Sequence, residues 1–331
     1  MNDKIAGCLF GTAIGDALAA PVEFLAYEDI RQQYPPSGPL EPKGDPAKVT
    51  DDTQMALAVG EAAVKAPRPF TPETLADAFK TAFIDWFNDP ENNRAPGSAC
   101  LNACERLVKG ADWHEAGDIS SKGSGANMRV MAVGLLNVDA PTRAGIAQLQ
   151  AAITHAHPVA LAAADLTAFV IAELRDNQPP RNLARNVRSY AHSQRDVYHE
   201  VWLGDLWQRA YMMPDEKTYI NYGWDECLHI LDKLDAALII KDDTRDPCEA
   251  TGAGWVAEEA FGTALLCFLL NPEDAISVIR RAAFTSGDSD SIAAIAGAFA
   301  GAYHGIGGFP ADWVARVEYN DRLTALATAL S

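Results

Sequence analysis

The chain has 331 residues, of which 48% are hydrophobic and 22% are charged, and its formal net charge is −18. The charge excludes tight binding of nucleic acid by the protein alone, because an acidic surface repels phosphate backbones. The length is enough for one large domain or two smaller ones, and the composition is the same on both sides of Pro179-Pro180. We therefore predict one domain over residues 1–331.

The N-terminal segment, MNDKIAGCLFGTAIGDALAAPVEF, does not have the features of a leader peptide. It has no basic stretch before a long apolar core, and its glycines and Asp16 interrupt the apolar residues. The chain has no uninterrupted apolar stretch of about 18 residues, so no membrane span is expected. Six cysteines without a CxxC pair favour a reducing compartment. We predict a cytoplasmic protein.

Helical periodicity recurs along most of the chain. Apolar residues return at three- and four-residue intervals, and proline or glycine residues separate the periodic segments. There is no strand-like alternation of useful length, so we predict an all-α protein. Loops are expected near residues 35–50, 88–97, 112–127 and 241–254. The predicted helices are residues 54–64, 72–86, 98–109, 128–136, 143–154, 158–174, 183–192, 256–270, 274–285 and 291–304.

Two short acidic segments share one design. TDDT, residues 50–53, precedes the first predicted helix, and GDSDS, residues 287–291, precedes the last. Each places two carboxylates and a hydroxyl at the N-terminus of an Ala-rich helix. Helix capping explains either segment alone, because Asp, Ser and Thr are preferred N-caps and acids complement the helix dipole.

Capping does not require two carboxylates and a hydroxyl at both places. Together the segments would supply four carboxylates and two hydroxyls, hard oxygen ligands that suit Mg²⁺ or Mn²⁺. Without metal, four carboxylates packed together would repel one another and lose hydration. The sequence therefore predicts a site for one or two metal ions if the segments meet in the fold. Asp16 and Glu23 form a third acidic element, which is weak evidence by itself.

A glycine-containing segment, SSKGSGANMR at residues 120–129, lies before another predicted helix. Glycines let backbone N–H groups approach a phosphate, and the N-terminus of a following helix favours negative charge. An ordinary loop explains the same residues equally well. His155, between two predicted helices, is by position alone a structural residue more readily than a ligand.

Six motifs, in this order, resemble those of the ADP-ribosylglycohydrolase family, which includes the dinitrogenase-reductase-activating glycohydrolases. They are GCLFGTAIGDALAAPVEF, TDDTQMALAV, KGSGANMRVMAVGLL, THAHPVALAAADLTAFV, GAGWVAEEA and GDSDSIAAIAGAFAGAYHG. The resemblance covers nearly the whole chain. It implies a compact orthogonal bundle of α-helices with a central cleft for two divalent metal ions, Mg²⁺ or Mn²⁺.

The same resemblance implies roles for individual residues. Many relatives carry threonine in place of Ser291, and many have Gly-Asn-Gly in place of residues 123–125. Glu23 matches a candidate acid or base, and the other candidate catalytic residues are Asp288 and Asp290. The implied metal ligands are Thr50, Asp51, Asp52, Asp288, Asp290 and Ser291. The implied contacts to the phosphates and ribose are Ser121, Gly123, Ser124, Gly125 and His155.

The activity implied by the resemblance is hydrolysis of the bond between ADP-ribose and a modified protein or another target. Arginine-specific relatives often carry Asp-x-Gly-x-Thr, whose aspartate is thought to engage the guanidinium. This chain has RAPGS, residues 94–98, in the corresponding place. Without that carboxylate, another linkage, such as ADP-ribose on serine or on a nucleobase, is expected.

Three alternatives remain open. The first is a non-catalytic scaffold that binds ADP-ribose, and the second is a metal hydrolase of a nucleotide pyrophosphate, which would release AMP. The third is a structural helical protein with acidic caps, which predicts no metal dependence. For the ADP-ribosyl hydrolase we predict a monomer without a nucleic-acid or membrane partner.

Overall fold

The structure is a computed structural model that describes residues 2–331, and these residues form eighteen α-helices and four 3₁₀ turns but no β-strand. The all-α prediction is confirmed. The helices are α1 Asp3–Ala19, α2 Tyr27–Gln33, α3 Asp51–Lys65, α4 Pro72–Asn88, α5 Ser98–Val108, α6 Trp113–Ala116, α7 Met131–Leu135, α8 Ala140–Ala152, α9 Pro158–Arg175, α10 Pro180–Gln194, α11 Glu200–Leu203, α12 Glu216–Ile240, α13 Cys248–Thr251, α14 Ala257–Leu270, α15 Ala275–Ala283, α16 Ser289–His304, α17 Ala311–Arg316 and α18 Asn320–Leu330.

Two long helices, α1 and α12, are missing from the periodicity-based prediction. Residues 5–19 of α1 are all buried, so the helix has no polar face and no amphipathic period to detect. The first half of α12 contains several aromatic and β-branched residues, which have lower helix propensity than alanine or leucine. In both cases tertiary packing stabilises a helix that local pattern does not indicate.

The most extensive contact between two helices is that between α1 and α16. Glycines of the two helices face each other, with Gly7 opposite Gly301 and Gly11 opposite Gly297. A Cβ atom built on any of these glycines would clash with a backbone atom of the other helix. The two backbones therefore touch directly, which larger side chains would prevent.

By length and composition, the segment Asp3–Val22 could cross a membrane, since its mean hydropathy is 1.6. However, 89% of the apolar stretch in this segment is buried inside the protein. Core helices of globular proteins have similar length and composition, and α1 is buried as such helices are.

Helix α1 also packs against α3, and α3 contacts α16. The fold thus gathers α1 and the two helices that begin with the acidic segments. Helices α9 and α14, which are buried on almost every side, pack against α16 from other directions.

Candidate active site

The N-termini of α3 and α16 open into one cleft, a cavity of about 250 Å³. The cleft is lined by eleven of the twelve residues to which the sequence analysis gave a role: Glu23, Asp51, Asp52, Ser121, Gly123, Ser124, Gly125, His155, Asp288, Asp290 and Ser291. The twelfth residue, Thr50, is the N-cap of α3, and its hydroxyl oxygen accepts a hydrogen bond from the backbone N–H of Asp52 at 3.3 Å. The acidic segments therefore meet, as the metal hypothesis requires.

Asp16 of α1 fixes the first turn of α3. Its buried carboxylate accepts hydrogen bonds from the backbone N–H groups of Thr50, at 2.9 Å, and Thr53, at 3.1 Å, and from the Thr53 hydroxyl at 2.5 Å. Burial raises the pKa of Asp16 to about 6, and these hydrogen bonds limit the rise. The sequence alone predicts no role for Asp16, because its hydrogen-bond partners lie more than thirty residues away in the chain.

Asp288 connects the second acidic segment to the glycine loop, residues 121–125. The preceding residue, Gly287, has φ +79°, and the N–H of Asp288 donates to the carbonyl of Ala253 at 2.9 Å. The Ser124 hydroxyl donates to the Asp288 carboxylate at 2.6 Å. The hydroxyl of Ser124 thus contacts the acidic cluster, whereas the resemblance implied a contact with the nucleotide.

The carboxylates in the cleft are crowded and buried. Ligand oxygens of Glu23, Asp288 and Asp290 lie within 4.8 Å of one another. Burial, and then the charge of Asp288, raise the pKa of Glu23 to about 7. Burial, and then the charge of Asp16, raise the pKa of Asp51 to about 8. Burial and neighbouring aspartates raise the pKa values of Asp52 and Asp290 far above the ordinary range.

Two buried carboxylate oxygens in this cluster, Asp52 Oδ2 and Asp290 Oδ1, have no hydrogen-bond partner within residues 2–331. A buried oxygen without a partner is costly, and a cation would satisfy both the lone pairs and the charge. The residues present therefore fit a divalent cation held by carboxylate oxygens. The close triad adds Glu23 to the candidate ligands, whereas the sequence analysis gave it only proton transfer.

The metal-free protein is expected to lose stability as the pH rises from about 4 to about 8. Over this interval the folded state keeps protons on Glu23 and Asp51 that the unfolded chain, with ordinary carboxyl pKa values, releases. Since the folded state binds more protons, the free energy of unfolding falls with rising pH. Thermal unfolding in EDTA across this interval measures the effect, which should be smaller in Asp51→Asn.

Added Mg²⁺ or Mn²⁺ should raise Tm more at the upper end of this interval than at the lower end. The reason is that protons compete with the metal for carboxylates, and binding to the folded state alone stabilises it. A metal-free Tm that rises with pH over the same interval, with no response to either metal, would contradict a buried acidic metal site.

The glycine loop, residues 121–125, is fixed to the start of α14. The N–H of Ala257 donates to the carbonyl of Lys122 at 2.8 Å, and the N–H of Ser124 donates to the carbonyl of Trp255 at 3.3 Å. Lys122 also forms an ion pair with buried Glu258. The loop is therefore held in place without any ligand, which lowers the entropic cost of binding one.

Two aromatic residues at the cleft were not identified from the sequence. Phe24 and Trp255 stack with ring centroids 5.5 Å apart and an interplanar angle of 12°, although their exposed fractions are 64% and 45%. Both line the cleft. Exposed aromatic rings of this kind offer a flat apolar surface to a planar ligand. The available signal was an aromatic residue directly after Glu23 and another two residues before the start of α14.

Residues 94–98 form one wall of the cleft, but Arg94 points elsewhere. Its guanidinium donates to the carbonyl of Val49 at 3.0 Å and forms an ion pair with Glu318. The cleft is lined instead by Ala95, Gly97 and Ser98. This wall therefore contributes neither a carboxylate nor a positive charge.

Comparison with known proteins gives a consistent result. A family model described as ADP-ribosylglycohydrolase matches residues 1–331. The chain is 23% identical over 323 residues to the ADP-ribosyl-[dinitrogen reductase] glycohydrolase of Rhodospirillum rubrum, covering 96% of this chain and 91% of that protein. It is 25% identical over 336 residues to the ADP-ribosylarginine hydrolase Tri1 of Serratia proteamaculans, covering 99% of this chain and 79% of that protein.

A solved structure described as an ADP-ribosylglycohydrolase-related protein complex has the same fold, with a TM-score of 0.69 and 24% sequence identity. The match covers 99% of this chain and 97% of that one. The fold likeness therefore extends over the whole chain.

Proposed function

The chain belongs to the ADP-ribosylglycohydrolase family, and from this membership we propose that it is a metal-dependent hydrolase that cleaves the N- or O-glycosidic bond between ADP-ribose and a modified target. The observation that supports the proposal best is the meeting of both acidic helix N-termini, Glu23 and the glycine loop in one cleft. A scaffold that only binds ADP-ribose has no need of so many unpaired buried carboxylates.

We propose that the cleft lies at the centre of an orthogonal bundle and would hold two divalent ions, Mg²⁺ or Mn²⁺. When bound, the ions would supply positive charge that offsets the acidic cluster and the anionic substrate. The unpartnered oxygens of Asp52 and Asp290 support their place among the ligands. The ligands proposed from the resemblance are Thr50, Asp51, Asp52, Asp288, Asp290 and Ser291. Glu23 is close enough to Asp288 and Asp290 to contact an ion as well.

Glu23 is proposed to move the proton. In the reaction, the bond between C1″ of the ribose and the target atom breaks, and a bond from C1″ to the oxygen of a water molecule forms. Glu23 takes one proton from that water and returns it to the departing oxygen or nitrogen, so its charge is unchanged at the end. In the metal-free protein, burial and the charge of Asp288 raise the pKa of Glu23 to about 7. Bound cations would lower this pKa and favour the carboxylate form, which accepts the proton from water.

The glycine loop is proposed to bind the pyrophosphate. The N–H groups of Ser121 and Ser124 already donate to the carbonyls of Asp118 and Trp255. The remaining backbone N–H groups of the loop and the neighbouring imidazole of His155 would supply donors without adding a charged side chain. The stacked rings of Phe24 and Trp255 offer a surface for a planar group at the edge of the cleft. By excluding water, these two rings would reduce the competition of water for the hydrogen bonds between the ligand and the glycine loop.

The target side of the cleft is proposed to take an uncharged linkage, on serine or on a nucleobase. The wall at Ala95, Gly97 and Ser98 has no carboxylate to pair with a guanidinium. The fixed ion pair between Arg94 and Glu318 keeps the one charged residue of this segment out of the cleft.

The test is release of free ADP-ribose from arginine-, serine- and nucleobase-linked substrates in Mg²⁺, Mn²⁺ or EDTA. Metal-dependent release supports the reaction class, and the preferred linkage tests the role of the neutral wall. Release of AMP would instead support the pyrophosphate hydrolase. Binding of ADP-ribose without release from any linkage would support the non-catalytic scaffold.

Glu23→Gln is expected to lower turnover by about 100-fold or more, because the amide cannot accept a proton from water. Binding of ADP-ribose should change little if the metal ions remain bound. Single-turnover release measured beside ADP-ribose binding separates the two effects. Glu28→Gln is the matched control, since Glu28 is exposed on α2 and pairs only with Arg31. A Glu23→Gln protein with near-normal turnover would remove Glu23 from the mechanism.

The remaining proposals follow from the same family membership and from composition. We propose a monomeric, cytoplasmic protein of one domain, acting on the ADP-ribose part of a modified target without a nucleic-acid or membrane partner. The net charge of −18 supports the absence of nucleic-acid affinity.

A further inference from the structure

His155 lies behind the glycine loop, and its two ring nitrogens have different surroundings. A Cβ atom on Gly123 would lie 3.2 Å from His155 Nε2, and one on Gly125 would lie 3.0 Å from Cε1. Nε2 has no hydrogen-bond partner within residues 2–331, whereas Nδ1 lies 2.8 Å from the hydroxyl oxygen of Thr154. The side of the ring that carries Nε2 is therefore the one available to a ligand in the cleft.

Behind Thr154 lies Arg129, whose side chain is fully buried. Its guanidinium donates to the Thr154 hydroxyl oxygen at 2.8 Å, to the carbonyl of Gln150 at 2.7 Å and to Gln150 Oε1 at 2.8 Å. Its centre lies 4.4 Å from the ring centroid of Phe83. No carboxylate of residues 2–331 forms an ion pair with it. Burial of an arginine without an ion pair is costly, and here the guanidinium is stabilised by neutral acceptors and by the ring face of Phe83.

The direction of the hydrogen bonds follows from the chemistry of the donors. A guanidinium can only donate, so the Thr154 oxygen accepts from Arg129 and keeps its single proton for another partner. Of the two acceptors nearby, the sulfur of Cys100 is much weaker than an imidazole nitrogen. The Thr154 proton therefore goes to His155 Nδ1, and the ring proton must be on Nε2.

We propose that Arg129 and Thr154 are positioning residues that hold His155 as an Nε2–H donor facing the glycine loop, where it binds an anionic oxygen of the ligand. Identification of that oxygen with a phosphate of ADP-ribose rests on the proposed function. Burial, and then the charge of Arg129, lower the pKa of His155 to about 3, so the ring stays neutral. The positive charge of Arg129 adds a favourable field without entering the cleft.

The test compares Thr154→Val, which removes the hydroxyl at nearly constant shape, with Thr154→Ser, which keeps it. Nitrogen-15 NMR of the histidine rings reads which nitrogen carries the proton, in protein without ligand or metal. The wild type and Thr154→Ser should have the proton on Nε2, and Thr154→Val should populate the form with the proton on Nδ1. Affinity for ADP-ribose should fall about tenfold in Thr154→Val and change little in Thr154→Ser.

Two results would overturn the inference: a proton on Nδ1 in the wild type, or an unchanged tautomer in folded Thr154→Val. Arg129→Met is the second variant, and it should free Thr154 to accept from Nδ1–H and so reverse the tautomer. If Arg129→Met fails to fold, the comparison of Thr154→Val with Thr154→Ser still tests the tautomer assignment. If the wild type has the proton on Nε2 but does not bind ADP-ribose, the proposed function fails while the tautomer assignment stands.

Discussion

Replacement of Asp290 by asparagine is expected to lower the release of ADP-ribose by more than about 100-fold and to raise the Tm of the metal-free protein. Asp290 is buried among like charges, and one of its oxygens has no partner within residues 2–331. Removal of its charge therefore relieves repulsion when no metal is present, and it removes a ligand when metal is added. Activity, Tm in EDTA and the Tm increase on adding Mg²⁺ or Mn²⁺ measure all three effects.

Asp312→Asn is the matched control, because Asp312 is an exposed helical aspartate with only a 4.0 Å surface pair to Arg316. Such a pair contributes little to stability, so activity and both Tm values should stay the same. The metal model is wrong if Asp290→Asn keeps its activity and its Tm increase on metal addition. A variant that loses activity together with metal-free stability would instead indicate a structural role.

Gly297→Ala is expected to lower the free energy of unfolding by about 3 kcal/mol, at the upper end of the usual cost of overpacking a core. The added methyl group would clash with the carbonyl oxygen of Gly11, and a helix backbone cannot move aside as a side chain can. Activity should also fall, because α16 carries Asp290 and Ser291 in its first turn. Urea unfolding measured beside turnover checks both effects.

Gly307→Ala is the control for this change, since a Cβ atom at Gly307 meets nothing within 4 Å. Its free energy of unfolding should stay close to that of the wild type. Equal unfolding midpoints for Gly297→Ala and Gly307→Ala would mean that the backbone contact between α1 and α16 is not tight in solution.

The acidic segments show which features of the site local sequence predicts and which it does not. TDDT and GDSDS lie at the starts of α3 and α16, as their composition predicts. The Thr50 side chain caps α3, whereas Asp288, the N-cap residue of α16, makes no side-chain capping hydrogen bond within residues 2–331. Their approach to each other was only assumed from the sequence, since it depends on how α1 packs against both helices. The resemblance to a family provided the residues of the cleft, and no periodicity or spacing would have brought His155 beside residues 123–125.

The residues that sequence analysis missed have their partners far away in the chain. Asp16 gains a role from Thr50 and Thr53, and Arg129 gains one from Gln150 and Thr154. A single buried Asp or Arg in an apolar segment carries no local signal of such partners. Helix α1 was missed for a related reason, because burial on all sides removes the contrast between faces that periodicity needs.

The glycine contact between α1 and α16 has a consequence for ion choice. The buried carboxylate of Asp16 links α1 to α3, and the glycines hold the backbones of α1 and α16 in contact. Neither link depends on an exposed side chain that rotates freely, so the cleft should keep a nearly constant width. Mg²⁺ requires oxygen distances of about 2.0–2.1 Å, whereas Ca²⁺ accepts about 2.3–2.6 Å. If the proposed metal site holds, a cleft of nearly constant width would select between these ions by radius, and the position of α1 would set the radius that fits.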